Sequence, residues 1–255
     1  MNTQQINVFN LPEEIPAEEL AGNAAIVIDV LRATTTICHA LAAGATEVVP
    51  FRTVEETLAA AEKAGRDQVV LGGERRGVRI DGFDLGNSPA EYTAESVGGQ
   101  RVFLTTTNGT QALHHARLAK RVLIAAVVNL SSVIESVLDE PAINIVCAGT
   151  DGEETLEDIL LAGAIVERLT VTPTAAWQFN DGAIAAVREW RLLVGKAEIA
   201  KHSIEAQLAE KLRDTLGGRN CIEVGNAADL PDCARIDHVR VAPELDVPNW
   251  RIIVR

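Results

Sequence analysis

Short aliphatic runs recur along the chain, and each is followed by a polar loop and then by a stretch with helical periodicity. The apolar runs at residues 25–28 and 102–104 are continuous rather than alternating, and the run at 142–147 is interrupted only by Asn144. Continuous runs are typical of strands covered on both faces, as in parallel sheets flanked by helices. The pattern therefore predicts an α/β protein, a three-layer α/β/α fold with a largely parallel or mixed sheet.

Weaker versions of the same pattern predict further elements. We expect strands at residues 6–9, 47–51, 68–71 and 122–127, and helices at 34–43, 54–64 and 155–168. Thr53 and Glu56 have the spacing of a capping box, which predicts that the second of these helices begins after Thr53.

Two stretches depart from the repeated order of strand, polar loop and helix. Residues 72–89 lack periodicity and are rich in glycine, charge and small polar groups, so we predict a long functional loop. Residues 174–216 predict a helical excursion, followed by a break at 217–220 and short strands at 239–242 and 252–254. Because no Ser/Pro-rich linker divides the chain, we expect a single domain over residues 1–255.

Composition and charge limit what the protein binds. Hydrophobic residues make up 47% of the chain and aromatic residues only 4%, which predicts a core of Val, Ile, Leu and Ala. Asp and Glu total 36 against 23 Lys and Arg, a formal net charge of −13. Nucleic acid is therefore not an expected partner, because nonspecific binding needs a basic surface. A small anion would bind only where arginines, helix N-termini or a divalent cation reverse the local field.

The N-terminal residues and the cysteines indicate a compartment. The first residues lack the basic and apolar regions of a signal peptide, and no apolar stretch reaches the roughly 18 residues that span a bilayer. The four cysteines have no CxxC spacing, which favours reduced, buried thiols. We expect a cytoplasmic protein without a membrane partner.

A candidate anion site follows the strand at residues 25–30. Asp29 stands at its carboxyl end, Arg32 follows, and Thr34, Thr35 and Thr36 open a helix. Ligands of α/β sheets bind beyond the carboxyl ends of strands, and arginine offers bidentate bonds to phosphate or sulfonate oxygens. Two alternatives need no ligand: Asp29 caps the helix, or Asp29 and Arg32 form an internal ion pair.

A second strand-to-helix loop has the same character. Residues 105–110 combine threonines with Asn108 and Gly109, where a helix exposes free backbone N–H groups. The alternative is an ordinary capped helix start. Two threonine-rich loops of this kind favour an anion site over two capped helices.

Acidic residues near the same strand ends could hold a hard cation. Glu74 follows the strand at 68–71, and Glu157 and Asp158 lie in the first turn of a predicted helix. Mg²⁺ takes one or two carboxylates together with water and substrate oxygens. Acids in a first helical turn are also favoured by the helix dipole alone, so this alternative stays open.

Several common enzyme classes are excluded by missing motifs. The chain has no HxH or HExxH zinc motif, no GxxxxGK[ST] loop and no GxSxG elbow. Cys147 is not followed by the Cys-x5-Arg pattern of cysteine phosphatases, because position 153 is Glu. A buried structural thiol is the better interpretation of Cys147.

The motifs together resemble the 2-phosphosulfolactate phosphatase family. The resemblance rests on the segments DVLRATTT at 29–36, GE at 73–74, GFDLGNSP at 82–89, TTNGT at 106–110, CAG at 147–149 and ED at 157–158. It implies an α/β fold with a site at the carboxyl ends of strands. It also implies a Mg²⁺-dependent phosphatase that converts (2R)-2-phospho-3-sulfolactate into 3-sulfolactate and phosphate in coenzyme M biosynthesis. A homodimer is expected from the family and from the frequency of two-fold assemblies.

The resemblance and the residues together suggest roles within the site. The expected catalytic residues are Asp29, Arg32, Glu74 and Asn108, and the expected metal ligands are Asp29, Glu74, Glu157 and Asp158. The expected substrate-binding residues are Thr34, Thr35, Asn87, Ser88, Thr105, Thr106, Thr107, Gly109 and Thr110. The alternatives are a phosphatase of another small phosphorylated hydroxy acid and a non-catalytic protein that binds an anionic metabolite.

Overall fold

One mixed sheet of eleven strands runs through the protein, with helices on both faces. The computed structural model describes residues 3–171 and 176–255. The strands are β1 (Thr3–Phe9), β2 (Ala24–Ile28), β3 (Glu47–Phe51), β4 (Val69–Arg75), β5 (Val78–Arg79), β6 (Arg101–Thr105), β7 (Arg121–Ala125), β8 (Ala142–Cys147), β9 (Ala176–Phe179), β10 (Pro243–Asp246) and β11 (Arg251–Val254). The helices are α1 (Ala17–Leu20), α2 (Ala33–Ala42), α3 (Val54–Ala64), α4 (Ala94–Val97), α5 (Gly109–Ala116), α6 (Leu130–Val137), α7 (Leu156–Val171), α8 (Asp181–Ala200), α9 (Ile204–Leu212), α10 (Leu216–Glu223) and α11 (Asp229–Cys233).

The sheet consists of two parallel blocks joined by the C-terminal hairpin. Its strand order is β5-β4-β6-β3-β11-β10-β7-β2-β8-β1-β9. Strands β4, β6 and β3 form one parallel block, and β7, β2, β8, β1 and β9 form the other. The hairpin of β10 and β11 pairs antiparallel with β7 on one side and with β3 on the other. The two blocks therefore run in opposite directions along the sheet.

Strand β2 shows how the three layers are built, because its side chains alternate between two cores. Ile26 and Ile28 belong to a cluster that includes residues of α7 and α8, such as Ile165. Ala25 and Val27 belong to a second cluster that includes residues of α2 and α5. All of these strand residues are fully buried, which explains why their sequence is continuously apolar. The predicted three-layer α/β/α fold with a mixed sheet is confirmed.

The predicted loop at 72–89 is wrong over its first residues. Strand β4 continues to Arg75 and turns back as β5, with Glu74 paired to Arg79. Glycines at 72–73 suggested a loop, but they allow the close approach of β6 instead: a Cβ at Gly73 would lie 2.1 Å from the Thr105 carbonyl oxygen.

Three predictions for the C-terminal third also need correction. Residues 176–179 form β9 rather than part of the helical excursion at 174–216, because they pair with β1; residues 174 and 175 lie outside the described residues. Residues 217–220 lie inside helix α10 instead of forming a break. The strand predicted at 239–242 does not form; β10 begins at Pro243, where the chain pairs with β11. Over the ranges that the structure describes, no helix has the length and apolar character needed to cross a membrane.

Candidate active site

A cleft of about 920 Å³ lies where the loops after β2, β6 and β8 meet the β4–β5 turn and helix α10. Its lining includes seven residues that the sequence predicts for the site: Asp29, Arg32, Glu74, Asn87, Thr106, Thr107 and Asn108. Eight other predicted residues lie around it without lining it: Thr34, Thr35, Ser88, Thr105, Gly109, Thr110, Glu157 and Asp158. The lining also contains residues that the sequence did not indicate, among them Arg75, Arg76, Asp151, Asn220 and Cys221.

Helix α5 brings the two sheet blocks together at the cleft. It follows β6 of one block and packs against β2 of the other. Gly109, its first residue, makes this contact possible, since a Cβ there would lie 2.5 Å from Ala33 Cβ and 2.7 Å from Asp29 Oδ2. Residues that follow β2 and β6 thus line one cleft although the two blocks run in opposite directions.

The Asp29 carboxylate has one occupied oxygen and one open oxygen. Oδ1 accepts a hydrogen bond from the Ala33 backbone N–H at 3.1 Å, so the capping alternative is partly correct. Oδ2 accepts no hydrogen bond from the described residues and faces the start of α5. Burial raises the pKa of Asp29 to about 7, and the nearby charges of Glu74 and Glu157 contribute to the increase.

The threonine hydroxyls after Asp29 hold the loop together. The hydroxyl of Thr34 donates to the Asp29 carbonyl and that of Thr35 to the Val30 carbonyl, each at 2.8 Å. Thr36 donates to the Asn87 carbonyl at 2.9 Å and so ties this loop to the segment around Asn87. All three hydroxyls donate to backbone carbonyls of the protein, so they stabilise the conformation of the loop that carries Asp29.

Arg32 is paired with Asp229 rather than with Asp29. Its Nη1 lies 2.6 Å from Asp229 Oδ2, and both side chains are almost fully buried. Asp229 also accepts a hydrogen bond from Ser88 Oγ at 2.6 Å. Arg32 Nη2 donates to the Gly77 carbonyl at 3.1 Å. The alternative of an Asp29–Arg32 ion pair is therefore wrong, and Asp229 is a site residue that local sequence reasoning did not find.

Glu74 fastens the loop after β6 to the β4–β5 turn. Its Oε1 accepts from the Thr107 backbone N–H at 2.7 Å, and its Oε2 accepts from the Gly77 N–H at 2.6 Å. Oε2 also lies 3.2 Å from the Thr107 hydroxyl. Next to it, the hydroxyl of Thr105 accepts from Arg75 Nη2 at 2.8 Å. Each oxygen of Glu74 is thus already used within the protein.

Glu157 and Asp158 lie beneath the cleft and differ in their free oxygens. Asp158 accepts from the Val30 N–H at 2.9 Å and from the Gly149 N–H at 3.2 Å, one with each oxygen. Glu157 Oε1 accepts from the Gly217 N–H at 2.9 Å, whereas its Oε2 is buried without a partner. Burial raises the pKa of both carboxyls, and the charge of Asp29 raises that of Asp158 further.

The remaining predicted residues complete the wall. Asn108 Oδ1 accepts from the Asp151 N–H at 3.2 Å, and Thr110 donates to the Thr106 carbonyl at 3.0 Å. Asn87 is buried at the cleft, and its Oδ1 has no hydrogen-bond partner.

The oxygens left open are suitable donors for a small number of bonds to a hard cation. They are Asp29 Oδ2, Glu157 Oε2 and Asn87 Oδ1. Within residues 3–171 and 176–255, no three His, Cys, Asp or Glu side chains are grouped closely enough to hold a metal by themselves. Carboxylate and amide oxygens are the ligand types that Mg²⁺ accepts from a protein when water and phosphate oxygens complete its shell.

Comparison with known proteins agrees with the arrangement of the motifs. The family model described as 2-phosphosulpholactate phosphatase matches residues 9–247. A probable 2-phosphosulfolactate phosphatase of Synechococcus sp. (strain CC9605) is 42% identical over 243 residues, 94% of this chain and 95% of the relative. Proteins with the same name from Symbiobacterium thermophilum and Thermotoga maritima are 41% and 43% identical, over 92% and 84% of this chain and 95% and 89% of their own lengths. The chain therefore belongs to the 2-phosphosulpholactate phosphatase family.

Proposed function

We propose that this protein is a Mg²⁺-dependent phosphoric monoester hydrolase that converts (2R)-2-phospho-3-sulfolactate into 3-sulfolactate and phosphate. One observation carries the proposal: the open Oδ2 of Asp29 lies beside the first residue of helix α5 at a cleft lined by oxygen donors and arginines. The names of the relatives support the substrate. In organisms that make coenzyme M, the reaction would belong to that route.

The phosphoryl group would bind at the start of α5. The Asn108 side chain does not cap this helix, and the Gly109 N–H makes no hydrogen bond with the described residues, so this group is available to an anion. The Thr110 N–H is already used, because it donates to Thr106 Oγ1 at 3.4 Å. Thr106, Thr107 and Asn108 line the cleft at the same place. Because the chain carries a net charge of −13, these local dipoles and the arginines are needed to attract a phosphate ester.

A Mg²⁺ ion would be held by Asp29 and Glu157, with Asn87 as a neutral oxygen ligand. Bound there, it would neutralise charge on the transferring phosphoryl group. Asp158 and Glu74 would position the ligands rather than bind the ion, since their oxygens already accept backbone N–H groups. The raised pKa of Asp29 favours the same role, because a cation would stabilise the carboxylate that burial disfavours.

The alternative role of the open Asp29 oxygen is the chemical step itself, with Glu157 and Asn87 then left to hold the ion. That oxygen would take a proton from the water that attacks phosphorus, or would attack phosphorus itself; in both routes the ester P–O bond breaks and the hydroxy acid leaves. Trapping a phosphorylated protein under single-turnover conditions distinguishes the two routes, because only the second forms a covalent intermediate.

A substrate panel tests the proposed activity. Purified protein is assayed for phosphate release from 2-phosphosulfolactate, 2-phospholactate and 3-phosphoglycerate, with Mg²⁺ and with EDTA. We expect the highest kcat/KM for 2-phosphosulfolactate and loss of release in EDTA. Preference for another phosphorylated acid would contradict the substrate, and no metal-dependent release from any of the three would contradict the enzyme. The cytoplasmic location and the homodimer stay predictions.

A further inference from the structure

Three arginines line the cleft, and they differ in what they contact. Arg32 is paired with Asp229, and Arg75 donates to the Glu74 carbonyl and to the Thr105 hydroxyl. Arg76 is exposed and makes neither an ion pair nor a hydrogen bond with any part of the chain that the structure describes. Of the three, Arg76 is the guanidinium that is free to bind a ligand.

Arg76 occupies an unusual backbone position. Arg75 pairs with Val78, so Arg76 and Gly77 form the two-residue turn between β4 and β5. Their φ angles are 52° and 78°, the left-handed values that a type I′ hairpin turn requires at both positions. Asn, Asp or Gly normally fills the first of these positions, and a long side chain there is uncommon. The conformational preference of a type I′ turn therefore does not explain why arginine occupies this position.

The turn is fixed to the residues of the site. The Gly77 N–H donates to Glu74 Oε2 at 2.6 Å, and the Gly77 carbonyl accepts from Arg32 Nη2 at 3.1 Å. On its other side the turn packs against helix α10, since a Cβ at Gly77 would lie 3.1 Å from Val224 Cγ2. The backbone of Arg76 is consequently held at the cleft while its side chain stays free.

We infer that Arg76 binds the sulfonate of the substrate and thereby sets the preference for a sulfonated phosphate ester. The inference rests on the proposed function. The phosphoryl group must reach the buried Asp29, which leaves the far end of the substrate towards the exposed side of the cleft, where Arg76 lies. A planar guanidinium donates two parallel hydrogen bonds to oxygens of one tetrahedral anion.

The substitution Arg76→Asn tests this role without disturbing the turn, because asparagine is favoured at this position of a type I′ turn. The variant and the wild type are compared on 2-phosphosulfolactate and on 2-phospholactate, which keeps the phosphate and carboxylate but lacks the sulfonate. We expect the ratio of the two kcat/KM values to fall by roughly 10- to 100-fold, mainly through KM, the range for losing a hydrogen bond to a charged group.

Arg79→Asn is the matched control, because Arg79 is an exposed arginine on β5 of the same hairpin and does not line the cleft. The ratio in this variant should equal that of the wild type. If the ratio of the two kcat/KM values is unchanged in a folded Arg76→Asn protein, whether or not both values fall, the sulfonate assignment is overturned while the phosphatase activity stands. Absence of phosphate release from both substrates by the wild type overturns the proposed function and this inference with it.

Discussion

The buried ion pair of Arg32 and Asp229 makes a sharp prediction about stability. The two side chains are 3% and 6% exposed, and their charged atoms are 2.6 Å apart. Asp229→Ala leaves the Arg32 charge in a desolvated position and removes the acceptor of Ser88 Oγ. Breaking a buried pair by removing one partner costs about 3 to 5 kcal/mol. For a chain of this length we expect Tm to fall by roughly 6 to 20 °C.

The exposed pair of Arg66 and Asp84 provides the comparison. Its charged atoms are 2.7 Å apart, almost the same distance, but each side chain is 42% exposed. Exposed pairs contribute about 0.2 to 1 kcal/mol, so Arg66→Ala should change the free energy of unfolding by less than about 1 kcal/mol.

Chemical denaturation monitored by circular dichroism gives the unfolding free energy of both variants and of the wild type. Near-equal losses in Asp229→Ala and Arg66→Ala would refute the reasoning, because burial would then not decide the strength of these pairs. A double variant, Arg32→Met with Asp229→Leu, should recover part of the stability, since it removes both buried charges together.

The remaining predictions concern the acids beneath the cleft. The pKa of Asp29 is near 3.8 in the unfolded chain and about 7 in the folded protein, so the folded state holds an extra proton between these pH values. In EDTA, the free energy of unfolding should therefore fall as pH rises from about 4 to 7. This effect changes the free energy of unfolding by at most roughly 4 kcal/mol. Urea titrations at pH 5 and pH 8 should show a smaller difference in unfolding free energy for Asp29→Asn than for the wild type. An equal difference in the two proteins would contradict the assignment of this pH dependence to Asp29. Gly217→Ala should reduce both stability and phosphate release, because its Cβ would lie 2.1 Å from Glu157 Oε1. Gly195→Ala is the control, because Gly195 has open space around it. Equal stability and activity of the two variants would contradict the close contact at Gly217. Asp158→Asn should lower the free energy of unfolding by about 1 to 3 kcal/mol, since only one amide oxygen remains for the N–H groups of Val30 and Gly149, and unchanged denaturation would show that these bonds are unimportant.

The sequence predicted local features of the site well, because each depends on neighbours in the chain. The strand before Asp29 and the helix after it follow from an apolar run and a polar loop, and the structure has them within one or two residues of the predicted bounds. The stretch at 105–110 likewise leads into a helix, which begins at Gly109 without a side-chain cap from Asn108. Of the seven predicted residues that line the cleft, Asp29, Arg32, Thr106, Thr107 and Asn108 came from these two local patterns. Glu74 came from the end of the strand at 68–71, and Asn87 came from the family resemblance.

Contacts between distant segments could not be predicted in this way. Asp229 pairs with Arg32 across 197 positions, and no local spacing indicates that partner. The glycines at 72–73 and 217–218 predict a loop and a break, yet in the structure they allow another segment to approach closely. Residues 176–179 are a strand because β1 offers them a partner, which overrides the helical composition of the surrounding stretch. The opposite direction of the two sheet blocks depends on the last hairpin of the chain.

Phosphate release by Asp29→Asn is the most direct test of the proposed activity. The substitution removes a charge with almost no change in volume, and Asp181→Asn, at the start of α8 outside the cleft, is the matched control. With Mg²⁺ and 2-phosphosulfolactate, we expect kcat to fall by at least about 100-fold in Asp29→Asn, the scale of losing a positioned acid–base group, and to stay unchanged in Asp181→Asn. Turnover by a folded Asp29→Asn protein close to that of the wild type would contradict the assignment of Asp29 to the chemistry.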